Sequence, residues 1–246
     1  MEASLGRCAP LRNVTRVVDG GAGGVCEGGG VERRPRLACF DLDNTLIDRD
    51  GAFLKWGRWW ADSNGLGESA VEWLVAHDNG GFRPRAELFE LARARFGLAA
   101  SVDELVASYD EEHPLFAWVE QPVLDGLVDL RAAGWRIAVV TNGRTVQQNL
   151  KLEYTQIADA IDYACVSETV GVRKPDRRIF ELAASQTGTT LDDGWMVGDH
   201  PSHDIAGGIA AGLHTIQIGS RHVPDAPVAD HQFDSVVKAF PVILAG

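Results

Sequence analysis

LACFDLDNT (residues 37–45) is the stretch of sequence that decides the fold of this chain. Its first half is a short apolar run, the pattern of a buried β-strand, and two acidic residues, Asp41 and Asp43, stand where that strand ends. Carboxylates at the end of a buried strand are costly unless they serve a purpose, so we interpret the pair as part of a site. The two residues are two positions apart and therefore lie on the same side of an extended chain.

Helix and strand patterns alternate after Pro122. Apolar spacing predicts helices over residues 123–134, 145–154, 176–188 and 202–212, and strands over residues 135–141, 163–167, 194–199 and 214–220. Strands that alternate with helices form a parallel sheet with helices packed on both faces. Together with the first strand, these segments predict an α/β fold with a doubly wound, Rossmann-like sheet.

The sequence between the first strand and this alternating region is helical. Four segments carry apolar residues at helical spacing, and Gly, Asn or Pro closes each of them. A helical block of this length interrupts the α/β pattern directly after its first strand. We therefore predict an α/β core formed by residues 35–49 and 121–246, and a helical cap over residues 50–120.

Residues 1–34 differ from the rest of the chain. They contain 8 of its 27 glycines, clustered as DGGAGG and EGGG, and they show no hydrophobic period. Glycine loses much backbone entropy on folding and this segment has little apolar surface to bury, so we expect a flexible tail. A phosphate-binding loop is the weaker interpretation, because no GKS or GKT follows the glycines.

Charge and composition limit the partners of the chain. Its 246 residues carry a formal net charge of −12, which argues against nucleic acid and anionic membranes as partners. No apolar run approaches the roughly 20 residues that span a bilayer, and the first residues do not have the pattern of a signal peptide. The four cysteines show no CxxC spacing, as expected of reduced thiols. We expect a cytoplasmic protein that is a monomer or a homodimer.

Polar side chains stand at the ends of several predicted elements. Thr141 ends the second strand, Asp199 follows a later strand, and Lys174 stands just before a helix whose first turn we place at Pro175. Ligands of such sheets bind at the carboxyl ends of the strands, so these groups should converge with Asp41. Clustered carboxylates repel one another unless a hard cation lies among them, and their oxygens suit Mg²⁺. A carboxylate can also attack phosphorus, while a hydroxyl and an ammonium hold the phosphoryl oxygens.

Four motifs in this order, DLDNT, TNG, RKPD and GDHPSHD, resemble those of the haloacid dehalogenase-like hydrolases over about residues 36–220. In that superfamily a cap is inserted just after the first motif, where the helical block stands here. The resemblance implies a nucleophilic role for Asp41. It implies that Asp43 protonates the leaving group and then acts as the base toward water.

The same resemblance assigns the remaining groups of the site. The phosphoryl oxygens would be bound by Thr141, the amide of Asn142 and Lys174. Mg²⁺ would be held by Asp41, the backbone carbonyl of Asp43 and Asp199, with Asp204 in the outer metal shell. Zinc binding by His200 and His203 is disfavoured, because their spacing is unlike that of a zinc site and no thiol is near.

The sequence thus predicts a Mg²⁺-dependent phosphatase that hydrolyses a small soluble phosphate monoester through a phosphoaspartyl intermediate. In the turn GGFRPR, Arg83 is the candidate contact with the substrate. Three alternatives stay open. A 2-haloacid dehalogenase shares the fold but has no acid at the position of Asp43, a phosphomutase would use the same residues, and a non-catalytic binding module would be expected to lack a motif residue.

Overall fold

β1 (Arg36–Phe40) lies near the centre of a parallel sheet. The computed structural model describes residues 35–246, and the tail predicted over residues 1–34 lies outside the described residues. The other strands are β2 (Trp135–Thr141), β3 (Tyr163–Val166), β4 (Trp195–Gly198), β5 (His214–Ile218) and β6 (His231–Phe233). Across the sheet the described strands follow the order β3-β2-β1-β4-β5-β6, and all neighbours are parallel.

Both faces of this sheet are buried. Successive side chains of β1 point to opposite faces, so Leu37 and Cys39 join one apolar cluster while Ala38 and Phe40 join another. All four are fully buried. A strand that is covered on both faces needs the nearly continuous apolar sequence that β1 has. The doubly wound α/β fold predicted from the sequence is confirmed.

Helices cover the two faces of the sheet. They are α5 (Gln121–Ala132), α6 (Thr145–Tyr154), α7 (Ile157–Ala160), α8 (Ser167–Val170), α9 (Arg177–Thr187), α10 (Ala206–Ala211) and α11 (Phe240–Ala245). Helices α5 and α11 pack with Phe40, whereas α9 and α10 pack with Cys39 on the opposite face. A π-helical turn, Pro201–Ile205, precedes α10.

Four helices lie between β1 and α5. They are α1 (Arg49–Ser63), α2 (Glu68–Asp78), α3 (Arg85–Phe96) and α4 (Val102–Glu112), and a 3₁₀ turn, His113–Phe116, follows them. This block has its own apolar core, built around the fully buried Trp56. The Trp56 ring packs edge-on against Tyr109, with the ring centroids 4.8 Å apart. Boundaries of a cap domain at residues 50 and 120 stay a prediction.

The structure differs from the sequence analysis in two local details. β6 was not predicted, because three residues are too few to show a strand period, although the strand pairs with β5 at the edge of the sheet. The helix placed at Pro175 begins at Arg177 instead. The Asp176 side chain accepts a hydrogen bond from the backbone N–H of Arg178 and so caps the helix one residue after the proline. None of the helices in residues 35–246 has the length and apolar character needed to cross a membrane.

Candidate active site

The predicted site residues meet at one edge of the sheet. Asp41 directly follows β1, Thr141 is the last residue of β2, and Asp199 directly follows β4. These three strands are neighbours in the sheet, so their carboxyl ends lie side by side. The backbone N–H of Asp41 donates to Val197 O at 2.9 Å, which extends the pairing of β1 with β4 to the edge itself. The side chains line a cavity of about 540 Å³.

Three carboxylates and one ammonium form the centre of this cavity. One oxygen from each of Asp41, Asp199 and Asp204 lies within 4.8 Å of the others. Lys174 Nζ lies 2.5 Å from Asp41 Oδ1 and 2.6 Å from Asp204 Oδ1. Gly198 permits this approach, because a Cβ at that position would stand 2.4 Å from Asp204 Cγ. The fold therefore brings Asp204 to the cluster although it comes six residues after Gly198, the last residue of β4.

Burial and mutual repulsion govern the charges of this cluster. Burial raises the pKa of Asp41 well above its ordinary value, and the neighbouring Asp204 and Asp199 add to the rise while Lys174 opposes it. Burial and Asp204 raise the pKa of Asp199 to about 6. Burial disfavours the Lys174 ammonium, yet Asp204 and Asp41 outweigh burial and raise the pKa of Lys174 above its usual range. Without a further cation, burial and mutual repulsion therefore disfavour the ionised forms of Asp41 and Asp199.

The carboxylate cluster fits a hard divalent cation. Asp204 is 1% exposed, and the Lys174 ammonium that lies 2.6 Å from its Oδ1 is shared with Asp41. With Arg221 beside Asp199, three clustered carboxylates face two cations, and burying them is costly unless a further cation lies among them. Aspartate oxygens are the ligands that Mg²⁺ accepts in proteins. His200 and His203 are not part of the cluster that could hold a metal.

Asp43 faces a different set of partners. Lys151 Nζ lies 2.7 Å from Asp43 Oδ1 and 2.9 Å from Oδ2, and Gln148 Nε2 donates to Oδ2 at 3.0 Å. Burial would raise the pKa of Asp43, but the Lys151 ammonium and the two hydrogen-bond donors lower it below its ordinary value. The Asp43 carboxylate therefore stands outside the acidic cluster. The metal contact predicted for its backbone carbonyl stays a prediction.

Thr141 and Asn142 are both fixed by hydrogen bonds. Thr141 Oγ1 accepts a bond of 2.6 Å from Gln148 Nε2, and it does not cap α6, whose N-cap is Arg144. The Asn142 side chain pairs with the backbone of Lys174, donating to its carbonyl and accepting from its N–H, both at 2.9 Å. The Asn142 side chain thus positions the lysine. The phosphoryl contact predicted for the Asn142 amide stays a prediction.

Arg83 lines the same cavity, and two of its three donor nitrogens are engaged. Its Nη1 donates to Glu87 and its Nε donates to the carbonyl of His77. Arg85, two residues further on, is more deeply buried and pairs with the buried Asp78 at 2.5 Å. The turn therefore brings two arginines to the cavity, and the substrate contact proposed for Arg83 is untested.

Comparison with known proteins agrees with this geometry. The sequence pattern that defines the haloacid dehalogenase-like hydrolase family matches residues 38–218, which include all four motifs. The chain belongs to this family.

Its relatives in the haloacid dehalogenase-like family differ in activity. The chain is 41% identical over 88 residues to the pyrimidine 5'-nucleotidase YjjG of Escherichia coli, a match that covers 35% of this chain and 39% of that protein. It is 29% identical over 184 residues to a phosphoserine phosphatase of Thermus thermophilus, covering 69% of this chain and 71% of the relative. The chain thus spans about two fifths of the length of the nucleotidase. Dehalogenases match as well, so membership alone does not select the reaction.

A solved structure of the haloacid dehalogenase-like family shares the fold. The hydrolase YfnB of Bacillus subtilis, solved with bound magnesium, superposes with a TM-score of 0.68 at 20% identity. The match covers 86% of this chain and 99% of YfnB. At this identity the likeness concerns the fold. It agrees with the parallel sheet and the helices that flank it.

Some groups at this hydrolase site were missed by sequence reasoning. Gln148 and Lys151 come from α6, and both are almost fully buried. Their signal in the sequence was present, because Gln147, Gln148, Lys151 and Leu152 lie on one face of the helix. Polar residues on the face that also carries the buried Leu152 mark a helix that packs against a polar cavity. Arg49, at the start of α1, was missed because it looks like an ordinary residue of a first turn.

The turn over residues 80–85, between α2 and α3, contacts the residues that follow β4, beside the acidic cluster. The Phe82 ring lies 5.0 Å from the ring of His200 and 5.7 Å from that of His203. The two imidazoles stack on each other at 4.0 Å. The Arg221 guanidinium lies over the Phe82 ring, 5.3 Å from its centre. The Nε atom of Arg221 is 3.2 Å from Asp199 Oδ2. The turn thus closes one side of the cavity.

Proposed function

We propose that the protein is a Mg²⁺-dependent phosphatase that hydrolyses a small phosphate monoester through a phosphoaspartyl intermediate on Asp41. The observation that carries this proposal is the pairing of Asp41, in an oxygen-rich cluster, with a second acid, Asp43, two residues later in the same cavity. Several curated relatives are named as phosphatases, of phosphoserine or of glyceraldehyde 3-phosphate, which supports the same reaction.

The metal site would be formed by groups already clustered. Asp41, Asp199 and the backbone carbonyl of Asp43 would hold Mg²⁺, with Asp204 in contact or in the outer shell. When bound, the ion would supply positive charge that offsets the carboxylates and the phosphoryl oxygens. Lys174, which pairs with Asp41 and Asp204, would supply a second positive charge. These two cations would allow a phosphate dianion to approach the Asp41 carboxylate.

In the first step, an Asp41 oxygen would attack phosphorus while the bond from phosphorus to the leaving oxygen breaks. Asp43 would give its proton to that leaving oxygen. In the structure Asp43 accepts hydrogen bonds from Lys151, so it has to take up a proton before it can act as an acid. A phosphate dianion beside it would raise the pKa of its carboxyl, because like charges disfavour ionisation. Thr141 Oγ1 would hold a phosphoryl oxygen during the transfer.

In the second step, Asp43 would accept a proton from a water molecule that attacks the phosphorus of the acyl phosphate. The bond from phosphorus to the Asp41 oxygen breaks, which releases inorganic phosphate and restores the Asp41 carboxylate. Between these steps, the acyl phosphate on Asp41 has to be shielded from bulk water. We propose that residues 50–120 act as a cap that does this, with the contact of Phe82 on His200 and His203 as part of its closed position.

Removal of the metal tests the proposed function. EDTA should abolish release of inorganic phosphate from p-nitrophenyl phosphate, and added Mg²⁺ should restore it, because the acidic cluster would then repel the substrate dianion. No chloride should be released from 2-chloropropionate. The site combines a proton donor with a metal-binding cluster, which phosphate-ester cleavage needs and the expulsion of a halide does not. Phosphate and chloride are measured in parallel on the same preparation.

Two results of this assay would contradict the proposal. Chloride release that persists in EDTA, without phosphate release, would identify a dehalogenase. Transfer of phosphate between sugar hydroxyls, without release of inorganic phosphate, would identify a phosphomutase. A panel of sugar, polyol and nucleoside phosphates with and without Mg²⁺ would show the transfer, and the 2-chloropropionate assay would show the dehalogenation.

A further inference from the structure

A single buried side chain bridges two of the groups that the proposed reaction uses. Gln148 Nε2 lies 2.6 Å from Thr141 Oγ1 and 3.0 Å from Asp43 Oδ2. The two acceptors belong to different strands, because Thr141 is the last residue of β2 and Asp43 comes three residues after the end of β1. Gln148 itself belongs to α6 and is 1% exposed. One amide from the helix therefore holds the hydroxyl and the acid at a fixed separation.

The chemistry of the two acceptors determines which way the Gln148 amide faces. An ionised carboxylate only accepts hydrogen bonds, so the NH₂ group of the amide, and not its carbonyl, has to face Asp43. That group has two hydrogens, and the two contacts use both of them. Thr141 Oγ1 accepts one, and within residues 35–246 Gln148 is its one hydrogen-bond partner. The hydrogen of the Thr141 hydroxyl is therefore left for a ligand of the cavity that Thr141 lines.

The Asp43 carboxylate is held from the protein side and is open toward the cavity. Its Oδ2 accepts from Gln148 Nε2 and from Lys151 Nζ, whereas Oδ1 accepts from Lys151 alone. The side chain of Lys151 is 3% exposed and that of Asp43 is 27% exposed. A carboxylate oxygen has two lone pairs, so the two donors occupy those of Oδ2 and one lone pair of Oδ1 stays free. Oδ1 is therefore the oxygen that can face the leaving group.

Gly143 leaves room for the Gln148 amide. A Cβ at position 143 would lie 2.7 Å from both Cγ and Cδ of Gln148, well inside the separation of carbon atoms in contact. The backbone at Gly143 does not have a positive φ, so the close approach of Gln148 is what calls for glycine here. A larger residue would push the Gln148 amide away from its two acceptors.

We propose that Gln148 is a positioning residue of the proposed phosphatase reaction, on which this inference rests. Its amide directs the hydroxyl hydrogen of Thr141 toward a phosphoryl oxygen and holds Asp43 with Oδ1 toward the leaving oxygen. Gln148 thus aligns two groups of the reaction without touching the reacting atoms itself. The alternative is that Gln148 only ties α6 to the ends of β1 and β2, which would affect stability alone.

Gln148→Met tests this inference, because methionine has a similar volume and no N–H to donate. With p-nitrophenyl phosphate, whose leaving group needs no proton, kcat/KM should fall about tenfold because Thr141 is no longer aligned. With a sugar phosphate, kcat/KM should fall about 100-fold, because Asp43 is misplaced as well. Gln121→Met makes the same change on the exposed first residue of α5 and should leave both values at the wild-type level.

Two variant backgrounds distinguish positioning from stability. In Thr141→Val, adding Gln148→Met should cost nothing more with p-nitrophenyl phosphate, because the hydroxyl that Gln148 aligns is gone. In Asp43→Asn, adding Gln148→Met should lower kcat/KM for the two substrates by the same factor, because the acid that distinguishes them is gone. A purely structural role would instead give the same loss in every background.

Two further variants act on the same amide. Gly143→Ala keeps the amide but displaces it, so it should reproduce the loss, and Gly143→Ala/Gln148→Met should be no less active than Gln148→Met. Gln148→Asn is one methylene shorter and cannot reach both acceptors, so it takes the place of Gln148→Met if that protein does not fold.

Wild-type kcat/KM in a folded Gln148→Met protein, or an undiminished loss in the Thr141→Val background, would overturn the inference while leaving a phosphatase. A wild type that releases no phosphate from either ester would overturn the proposed function and this inference with it.

Discussion

Asp41→Asn should fold normally and lose phosphate release by on the order of 10⁴-fold or more. An amide cannot form the acyl phosphate, so the route through a covalent intermediate is closed. The fold should be kept, because the substitution removes one of three mutually repelling carboxylates while Lys174 remains beside Asp204. The measurement is kcat with p-nitrophenyl phosphate and Mg²⁺, together with the melting temperature of the same preparation.

Asp62→Asn is the matched control for this substitution. It makes the same chemical change on an exposed position of α1 and should retain wild-type turnover. A folded Asp41→Asn protein with near-normal activity would show that Asp41 is not the nucleophile.

Asp43→Asn should separate substrates by the basicity of their leaving groups. The kcat/KM for a sugar phosphate should fall by about 10²- to 10⁴-fold, the range of general acid–base catalysis. The kcat/KM for p-nitrophenyl phosphate should fall much less, because p-nitrophenolate leaves without a proton. The melting temperature should also fall, since Lys151 is 2% exposed and would lose its carboxylate partner.

A second substitution distinguishes the chemical effect from the structural one. In Asp43→Asn/Lys151→Met the unpaired ammonium is gone, so the melting temperature should recover while the loss with sugar phosphates should stay. If activity toward sugar phosphates returned together with stability, Asp43 would be a structural partner of Lys151 and not the acid of the reaction.

Much of this site was readable from the sequence because its parts are local. Asp41, Thr141 and Asp199 each stand at the end of an apolar run, and in a parallel sheet such ends meet at one edge. Lys174 could be placed near them by its motif alone. The structure brings all four to the same cavity.

The remaining groups depend on packing that no short motif encodes. Lys151 lies 108 positions from Asp43 in the chain, and their pairing depends on how α6 lies against the end of β1. The choice between Arg83 and Arg85 was equally hidden, because both flank the same proline. In the folded turn, Arg83 pairs with Glu87, whereas Arg85 pairs with the buried Asp78. β6 was missed because three residues carry no period.

The most direct test of the central claim is to trap the intermediate. Wild-type protein is mixed with excess substrate and Mg²⁺, quenched in acid within one turnover, and digested for mass spectrometry of the peptide that contains residues 37–45. We predict a peptide heavier by one phosphoryl group, with the label on Asp41, and no such peptide from Asp41→Asn. An unlabelled Asp41 in a protein that is turning over, or a phosphoryl group on another residue, would contradict the account.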